Sequence, residues 1–371
     1  MFNSFPVYQQ LISHICYSCT QIFLSAIIPD IACFDEDGSR FVNERLRSGT
    51  LDEQELAMKV ALLGKDDLWV DNYGRFVLQG LFEFGTDKMK KDLVARMCGR
   101  DVVSLCMHKN GCRVIQKAIR CLPLEDINKL ILKIRGKILT MSRDPNGNHV
   151  VQRLIQVMSS FATIKDKDDM PNVAASSQIQ FIVDDIMDNI EDLSTHCYGC
   201  RVVQRAIKHC VDEQKHAVVE QIISCNVETL ICDRYGNYVI QAVLFNGSEE
   251  HIASIIERLT ESDQLLKFSR QKYASNIIET ILEHGEPEHK TKLVEGMLLD
   301  TRHEEGGYCC LVELSKDRIA NYVVNKALEN CEGGLQEELF ELLSSNYQEL
   351  SKSRYGKYVL QTLRKHQSAS A

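Results

Sequence analysis

The feature that most constrains the fold of this chain is a short motif that recurs nine times. Each copy consists of Gly or Ala, two variable residues, two apolar residues and a polar amide or acid. The copies begin at Gly38, Gly74, Gly111, Gly147, Gly199, Gly236, Ala274, Ala320 and Gly356. Successive copies lie 36 to 38 residues apart, except for intervals of 52 and 46 residues. This period indicates a repeat protein in which each unit buries its apolar face against its neighbours.

The two longer intervals contain insertions. Segment 159–178 is polar, alternates Lys with Asp and includes Pro171, so it is predicted to be a disordered loop. Segment 297–308 carries the other insertion and contains Gly306 and Gly307. Neither insertion changes the phase of the repeats around it.

The apolar spacing within a repeat is that of α-helices. In the fourth copy, the apolar residues of 150–155 form a helical stripe, with Asp144 as a predicted N-cap and Pro145 as the first helical residue. Upstream, the apolar residues of 130–138 predict a second helix that ends near Gly136. Each unit is therefore predicted to contain two long helices and a short connector, and no segment predicts a β-sheet.

Cysteine usage indicates a reducing environment. The chain has 15 cysteines, an odd number, and most of them lie within apolar helical patterns. Two Cys-x-x-Cys pairs, Cys16/Cys19 and Cys197/Cys200, lack the second pair that a zinc site requires. The sequence therefore predicts no metal site and no cofactor.

Other protein classes are disfavoured by what the chain lacks. The apolar segment 11–31 has no basic residue before Arg40 and contains Pro29, so it is predicted to be a capping helix rather than a signal peptide or membrane span. The chain contains no P-loop, Gly-x-Gly-x-x-Gly or His-Glu-x-x-His motif and no credible catalytic triad, so an enzyme is not expected.

Longer forms of the motif carry a family resemblance. Asp233-Arg-Tyr-Gly-Asn-Tyr-Val-Ile-Gln and its variants recur in phase, and the seventh copy has the distinctive Ser275-Asn-Ile-Ile-Glu. Over about residues 32–366 the chain resembles the Pumilio (PUF) RNA-binding domain. The resemblance implies an all-α, curved α-solenoid of eight repeats with capping half-repeats, whose concave face binds single-stranded RNA at one base per repeat. Residues 1–31 would then be an N-terminal capping segment and 367–371 a tail, with the ninth copy a C-terminal cap.

Three positions in each motif are the candidate RNA contacts. Residues at i and i+4 share a helix face and can contact one base edge together, whereas residue i+1 is rotated by about 100° and can stack between bases. The predicted edge pairs are Ser39/Asn43, Arg75/Gln79, Cys112/Gln116, Asn148/Gln152, Cys200/Gln204, Asn237/Gln241, Ser275/Glu279 and Asn321/Asn325. The predicted stacking residues are Arg40, Phe76, Arg113, His149, Arg201, Tyr238, Asn276 and Tyr322.

The chemistry of the pairs predicts a base sequence. An ionised Glu279 only accepts hydrogen bonds and therefore suits guanine, which has two adjacent donors on its Watson–Crick edge. Asn/Gln pairs suit uracil, and the family recognises adenine with Cys/Gln. Family members bind RNA antiparallel, so repeats eight to three predict 5′-UGUAUA. Arg75 leaves the base at repeat two open, since a long cation there suits phosphate, and Asn43 and Asn325 predict weaker selection at the ends.

The distribution of charge supports binding to a polyanion. The whole chain has a net charge of −9. The eight six-residue segments that begin at the first edge positions contain eight basic and two acidic residues, a net charge of +6. Positive charge is thus concentrated where the resemblance predicts the RNA.

The resemblance implies a cytoplasmic, monomeric regulator without a membrane association. It would bind UGUA-containing 3′ untranslated regions and recruit a deadenylase complex or translational-repressor proteins. Two alternatives remain at this stage. A nucleolar Pumilio-like ribosomal RNA-processing factor usually has eroded edge pairs, and an armadillo- or HEAT-type protein-interaction solenoid does not need them.

Overall fold

The computed structural model describes residues 36–63, 66–163, 173–261, 264–298 and 310–369. These residues form helices joined by short turns, and no β-strand occurs among them, so the predicted all-α repeat fold is confirmed. The predicted capping segment 1–31 lies outside the described residues. The last helix extends to Ala369, so the described part of the predicted tail 367–371 is helical.

Each complete repeat contains a short helix, a second helix that starts at the small residue of the motif, and a third helix. The first four repeats contain α1 (Glu36–Ser48), α2 (Leu51–Leu63), a 3₁₀ turn (Asp66–Trp69), α3 (Gly74–Phe84), α4 (Asp87–Cys98), α5 (Val102–Met107), α6 (Gly111–Cys121), α7 (Leu124–Ile134), α8 (Ile138–Arg143), α9 (Gly147–Thr163) and α10 (Val173–Met187). The remaining helices are α11 (Ile190–Ser194), α12 (Gly199–His209), α13 (Asp212–Ser224), α14 (Val227–Cys232), α15 (Gly236–Asn246), α16 (Glu249–Thr260), α17 (Gln264–Ser269), α18 (Ala274–His284), α19 (Pro287–Leu298), α20 (Cys310–Lys316), α21 (Ala320–Asn330), α22 (Gly334–Ser345), α23 (Tyr347–Lys352) and α24 (Gly356–Ala369).

The prediction of two helices and a connector was incomplete, because the connector itself folds into a short helix. The upstream helix of the fourth repeat ends at Ile134, Gly136 adopts a left-handed φ of 75°, and α8 follows from Ile138 to Arg143. A helix of six residues is too short to show apolar periodicity in the sequence.

The chain divides into two compact units. The first comprises the described residues up to Asp185 together with 209–211, and the second comprises 186–208 and the residues from Asp212 onwards. In the first unit, α1 packs on α3, α3 on α6, and α6 on α9. In the second unit, α15 packs on α18, α18 on α21, and α21 on α24. The ninth motif thus forms a half-repeat of α23 and α24.

A side-chain acceptor fixes the start of most second helices. In the sixth repeat, Asp233 Oδ1 accepts the backbone N–H groups of Tyr235 and Gly236 at 2.8 Å each. The same pair of contacts, two and three residues downstream, is made by Asp71, His108, Asp144, His196, Gln271 and Asp317. These acceptors satisfy N–H groups that have no partner within the helix.

The second helix of the fourth repeat starts later than the sequence predicts. Asp144 ends the short helix, and α9 begins at Gly147, with Asp144 Oδ1 accepting the N–H groups of Asn146 and Gly147 at 2.8 and 2.7 Å. Asp144 therefore caps the turn that leads into α9, and Pro145 lies in that turn.

The small residue of the motif allows the second helix to approach the short helix closely. A Cβ atom on Gly147 would lie 2.7 Å from the carbonyl oxygen of Met141, and one on Gly236 would lie 2.7 Å from that of Leu230. Real Cβ atoms do not approach carbonyl oxygens so closely, which explains why glycine starts most of the second helices. In the seventh and eighth repeats the spacing accommodates Ala274 and Ala320, both fully buried.

The segment 159–178, predicted to be a disordered loop, is helical at both ends. Helix α9 continues through Thr163 and α10 begins at Val173, while 164–172 lies outside the described residues. The apolar faces of these helices are extended by the buried residues Met158, Ala162 and Ile179. The polar composition of the segment as a whole hid this apolar pattern in the sequence.

Two further observations concern cysteine and the membrane. The eleven cysteines among the described residues are all free thiols, and the buried Cys200 donates to the carbonyl of Cys197.

Within the described ranges, no helix combines the length and apolar character that crossing a membrane requires.

The close approach at Gly147 generates the first prediction. Replacing Gly147 with Ala should lower the midpoint of thermal unfolding, since separating α8 from α9 costs about 1–3 kcal/mol. Gly334→Ala is the matched control, because nothing lies within 4 Å of a Cβ atom built there. Equal unfolding midpoints for the two variants in circular dichroism would contradict the role assigned to Gly147.

Candidate nucleic-acid interface

The three predicted contact positions lie one, two and five residues beyond the small residue of each second helix, and they differ in exposure. The stacking residues are exposed in all eight repeats: Arg40, Phe76, Arg113, His149, Arg201, Tyr238, Asn276 and Tyr322. The second edge residues are half-buried in all eight: Asn43, Gln79, Gln116, Gln152, Gln204, Gln241, Glu279 and Asn325. The first edge residues are buried to 3% exposure or less, except for the half-buried Arg75; the buried ones are Ser39, Cys112, Asn148, Cys200, Asn237, Ser275 and Asn321. The motif therefore presents one exposed side chain and one accessible edge residue per repeat, supported by a buried one.

In the Asn/Gln repeats, the buried asparagine holds the glutamine. Asn237 Nδ2 donates to the carbonyl of Asp233 at 2.9 Å, while Asn237 Oδ1 accepts from Gln241 Nε2 at 3.2 Å. Asn148 makes the same pair of bonds, to the carbonyl of Asp144 and from Gln152 Nε2, both at 2.8 Å. The asparagine thus fixes the orientation of the glutamine amide, the group that is placed to contact a ligand.

In the Cys/Gln repeats the glutamine lacks that support. The thiols of Cys112 and Cys200 point back to the carbonyls of Lys109 and Cys197. Gln116 Nε2 and Gln204 Nε2 are buried without a hydrogen-bond partner of normal geometry. The Cys112 sulfur lies close enough to Gln116 for a weak interaction, but a thiol is a poor acceptor. Each of these repeats therefore offers an unsatisfied amide donor beside a small apolar group.

The seventh repeat places a carboxylate where the other repeats have an amide. Burial raises the pKa of Glu279, with Lys326 and the Ser275 hydroxyl opposing the shift and Glu283 adding to it. Glu279 is the one second edge residue that can carry a full negative charge, so it can accept from two adjacent donors of a ligand.

The second repeat departs from the others because Arg75 does not point freely outwards. Its Nη1 donates to Asn110 Oδ1 at 2.7 Å, and its guanidinium carbon lies 4.6 Å from the centre of the Phe76 ring. Asn110 is buried and also bonds to the carbonyl of Val70 and to Asn72. The guanidinium therefore covers one face of the stacking residue of its own repeat.

The predicted edge pair of the second repeat, Arg75/Gln79, is not joined in the structure. Gln79 is half-buried on α3, one turn beyond Arg75, so the two residues do share a helix face. The guanidinium of Arg75 bonds to Asn110 instead, and no hydrogen bond of the described residues links it to Gln79. The assignment of Arg75 and Gln79 to one base edge stays a prediction, and a partner in the next repeat holds the arginine in this structure. Gln79 is left as the accessible edge residue of this repeat, without the support that Asn148 and Asn237 give their glutamines.

The stacking residues offer flat surfaces of mixed character. Within the second unit, the guanidinium of Arg201 lies 5.3 Å from the centre of the Tyr238 ring, so these residues of consecutive repeats face each other. In the first unit, burial lowers the pKa of His149, and the charge of Arg113 lowers it further. A neutral imidazole provides a flat ring for stacking without adding charge.

The shorter amides of the end repeats differ in their contacts from the glutamines of the other repeats, and their reduced reach toward a base stays a prediction. Asn43 Nδ2 donates to the carbonyl of Ser39 in its own helix at 3.0 Å. Asn325 Oδ1 is buried without a hydrogen-bond partner, while Asn321 bonds to the carbonyls of Asp317 and Arg318. Neither end repeat contains the side-chain pair seen in the fourth and sixth repeats.

The positive charge counted from the sequence is partly neutralised by ion pairs that the count did not include. Lys117 contacts Glu83 at 2.6 Å, and Lys326 contacts Glu283 at 2.9 Å, each linking consecutive repeats. Arg40 pairs with Glu36 at 2.8 Å in an exposed contact. The net charge of +6 therefore overstates the local field, and the remaining arginines of the motif carry most of it.

Sequence reasoning missed three kinds of residue at this surface. It did not identify the recurring cap residues as a set, although an acceptor three residues before each small residue was visible. It also missed Asn110, which orients Arg75, and the glutamates Glu83 and Glu283 in the preceding repeats. The partners of these residues lie about one repeat away along the chain, beyond the reach of motif reading.

Comparison with known proteins matches the repeats to a family. The sequence model of the Pumilio-family RNA binding repeat matches seven segments: 70–98, 101–135, 137–160, 189–223, 226–260, 264–298 and 310–344. The first predicted repeat lies outside these matches, but its helix α1 packs on α3 just as α3 packs on α6.

Full-length relatives and solved structures agree with this match. A Pumilio domain-containing protein of Schizosaccharomyces pombe is 28% identical over 339 residues, 91% of this chain and 46% of that protein. Pumilio homolog 12 of Arabidopsis thaliana is 24% identical over 332 residues, 89% of this chain and 51% of that protein. The chain thus spans about half the length of these relatives.

Among solved structures, PUF-8 in complex with PBE-RNA superimposes with a TM-score of 0.80 at 31% identity, covering 92% of this chain and 94% of that one. The Puf3 RNA-binding domain bound to site B of the Cox17 RNA 3′ UTR recognition sequence gives a TM-score of 0.73 at 27% identity, covering 92% and 96%. The repeats match the family's sequence model over more than half of the chain, and the solved structures share the fold. The protein therefore belongs to the Pumilio family of RNA-binding proteins.

Proposed function

We propose that this protein binds single-stranded RNA containing 5′-UGUAUA in the 3′ untranslated regions of messenger RNAs, and lowers their translation or stability. The observation that carries the proposal is that three chemically different kinds of edge pair occupy the same motif positions in successive repeats. Asn/Gln pairs stand in repeats four and six, Cys/Gln pairs in repeats three and five, and Ser275/Glu279 in repeat seven. A protein surface that contacts only the sugar-phosphate backbone of RNA does not require edge pairs that differ from repeat to repeat.

The hydrogen-bonding capacity of each pair supports the assigned base. Glu279 accepts only, and guanine alone offers two adjacent donors. In the fourth and sixth repeats the oriented glutamine presents both a donor and an acceptor, which matches the alternating edge of uracil. In the third and fifth repeats, the small Cys112 and Cys200 leave room for a purine beside the unsatisfied amide donors.

The expected consequences in the cell follow from the family. We infer that the protein acts in the cytoplasm as a monomer and recruits a deadenylase complex or translational repressors to the bound transcript. The alternative of a ribosomal RNA-processing factor requires binding without strong base selection. Five intact edge pairs in repeats three to seven favour the messenger RNA proposal over that alternative.

The first test of the proposal exchanges the carboxylate of the seventh repeat. Glu279→Gln should weaken binding to 5′-UGUAUAUA by about tenfold or more, because a bidentate contact provides about 1–3 kcal/mol of discrimination. The same octamer with uracil in place of its guanine should bind wild-type protein at least as weakly. Fluorescence anisotropy near physiological salt measures all four combinations.

Glu295→Gln is the matched control for this test. It makes the same chemical change at an exposed position of α19, a third helix without edge residues. Its affinities should equal those of the wild type. Equal binding of wild-type protein to both octamers would leave a nonspecific binder, and no binding to either would remove the RNA proposal.

The raised pKa of Glu279 predicts a pH dependence. A protonated Glu279 cannot accept from both guanine donors, so affinity for the guanine octamer should be full at neutral pH and fall as pH decreases through the pKa. Because burial raises that pKa, the loss should occur at a higher pH than for an ordinary glutamate. Glu279→Gln should show no such loss, and parallel curves for both proteins would contradict the assignment.

The geometry of Arg75 predicts weak base selection by the second repeat, which corresponds to the seventh nucleotide. Its guanidinium is held by Asn110 and covers Phe76, so it does not support Gln79 in presenting an amide edge. Arg75→Asn recreates with Gln79 the Asn/Gln pair of the fourth and sixth repeats. This variant should gain a preference for uracil at the seventh nucleotide of about fivefold or more, since such contacts provide about 1 kcal/mol or more.

Four octamers that differ only at the seventh nucleotide test this prediction by anisotropy. Wild-type protein should bind all four within a narrow range. A strong base preference in the wild type, or none in Arg75→Asn, would show that Arg75 does not determine selection at this position.

A further inference from the structure

A cluster of metal-ligating side chains lies on two third helices, away from the base-recognition motif. His216 and Glu220 belong to α13 of the fifth repeat, and His251 belongs to α16 of the sixth. The candidate ligand atoms of these three residues all lie within 4.8 Å of one another. Among the described residues, no other group of three or more His, Cys, Asp or Glu side chains comes together in this way.

Two of the three side chains are aligned by the helix that carries them. His216 and Glu220 are four residues apart on α13, so they project from the same helix face. The imidazole of His216 lies 4.9 Å from that of His251, with 35° between the ring planes. Both His216 and Glu220 are exposed, so their side chains can adjust to a ligand.

The third side chain is buried and held in place. The side chain of His251 is 4% exposed, and its Nε2 lies 2.9 Å from Glu220 Oε1. Its Nδ1 lies 3.0 Å from the Ser248 hydroxyl and 3.1 Å from the Ser248 backbone nitrogen, in the capping box that starts α16. The Ser248 backbone N–H donates to Nδ1, so the contacts of this ring nitrogen fix the orientation of the imidazole before any metal binds.

We propose that His216, Glu220 and His251 form a zinc-binding site that links the fifth and sixth repeats. Two imidazoles and one carboxylate are a known ligand set for Zn²⁺, with water in the fourth position. Ligand atoms around a tetrahedral zinc ion lie about 3.3 Å apart. Because all three candidate atoms lie within 4.8 Å of one another, the exposed His216 and Glu220 side chains can reach this spacing with small movements.

The proton balance of binding follows from the contacts of His251. Zn²⁺ takes the lone pair of Nε2 in the neutral ring, so the ring proton resides on Nδ1. That N–H then donates to the Ser248 hydroxyl at 3.0 Å, replacing the present contact with the Ser248 backbone N–H. Glu220 binds as the carboxylate, so its contact with His251 is exchanged for a shared metal ion.

The site was not foreseen from the sequence because its ligands come from different repeats. His251 lies 31 residues beyond Glu220 along the chain, and neither Cys-x-x-Cys pair contributes to the cluster. The base-edge and stacking residues lie on the second helices, so zinc binding is independent of the RNA proposal.

Cobalt substitution tests the proposal on the full chain. Co²⁺ should bind with one-to-one stoichiometry and give the visible absorption of a tetrahedral nitrogen and oxygen site, without thiolate charge-transfer bands. Its affinity should fall at least tenfold in His216→Ala and in Glu220→Gln. Zn²⁺ should raise the thermal unfolding midpoint of the wild type and not that of either variant.

Glu249→Gln is the matched control. Glu249 pairs with His289 at 2.6 Å across the next repeat junction, but that pair belongs to no group of three among the described residues. Its Co²⁺ affinity should equal that of the wild type. Wild-type affinity in His216→Ala and Glu220→Gln, or a spectrum dominated by thiolate bands, would overturn the site. Unfolding midpoints in the presence of a chelator establish that each variant is folded.

Discussion

The candidate RNA-binding surface depends on the residue at which each second helix begins. That residue is determined by one side chain that accepts hydrogen bonds from two backbone N–H groups. Asp233, His196 and Gln271 differ in chemistry, yet each accepts the same two backbone N–H groups ahead of a small residue. A helix that began one residue later would rotate every side chain by about 100°. The edge and stacking residues would then exchange faces. The cap therefore preserves the phase of the motif, and the close approach at Gly236 or Gly147 holds the helix in that phase.

Burial of the first edge residues explains how two adjacent polar side chains can select a base. Asn237 has both of its polar groups occupied, one by a backbone carbonyl and one by Gln241. The glutamine is therefore ordered before any ligand arrives, and less conformational entropy is lost on binding. Gln204 lacks such a partner, and a buried unsatisfied donor costs about 1–3 kcal/mol. In the proposed complex, a base that accepts from this amide would remove that cost, so the two kinds of repeat would gain affinity by different routes.

The sequence was sufficient for the repeat period, the all-α fold and the phase of the motif on its helix, because these can be recognised from residue spacing. The period of 36 to 38 residues is visible as direct recurrence of the motif, and the i, i+4 pairing is a property of a single helix. The short helices were missed because six residues show no periodicity, and α9 began later than predicted because Asp144 caps the preceding turn instead. The exposure of the stacking residues follows from the motif, but Arg75 pairs with Asn110 rather than with Gln79, and Lys326 pairs with Glu283. Such contacts join residues about 35 to 43 positions apart, and no local pattern specifies them.

The motif lies on the second helices, and an excess of acidic residues lies on several third helices. This separation accounts for a chain of net charge −9 in an RNA-binding family. Helices α13, α16 and α22 contain more acidic than basic residues, and they are third helices without edge positions. Packed helices lie about 8–10 Å apart, which is close to the screening length of about 8 Å at physiological ionic strength. In the proposed RNA complex, acidic groups on the far side of a third helix would therefore be screened from the phosphates. In that complex the arginines of the motif would act at contact distance, where screening is weak, so local charge would outweigh the total.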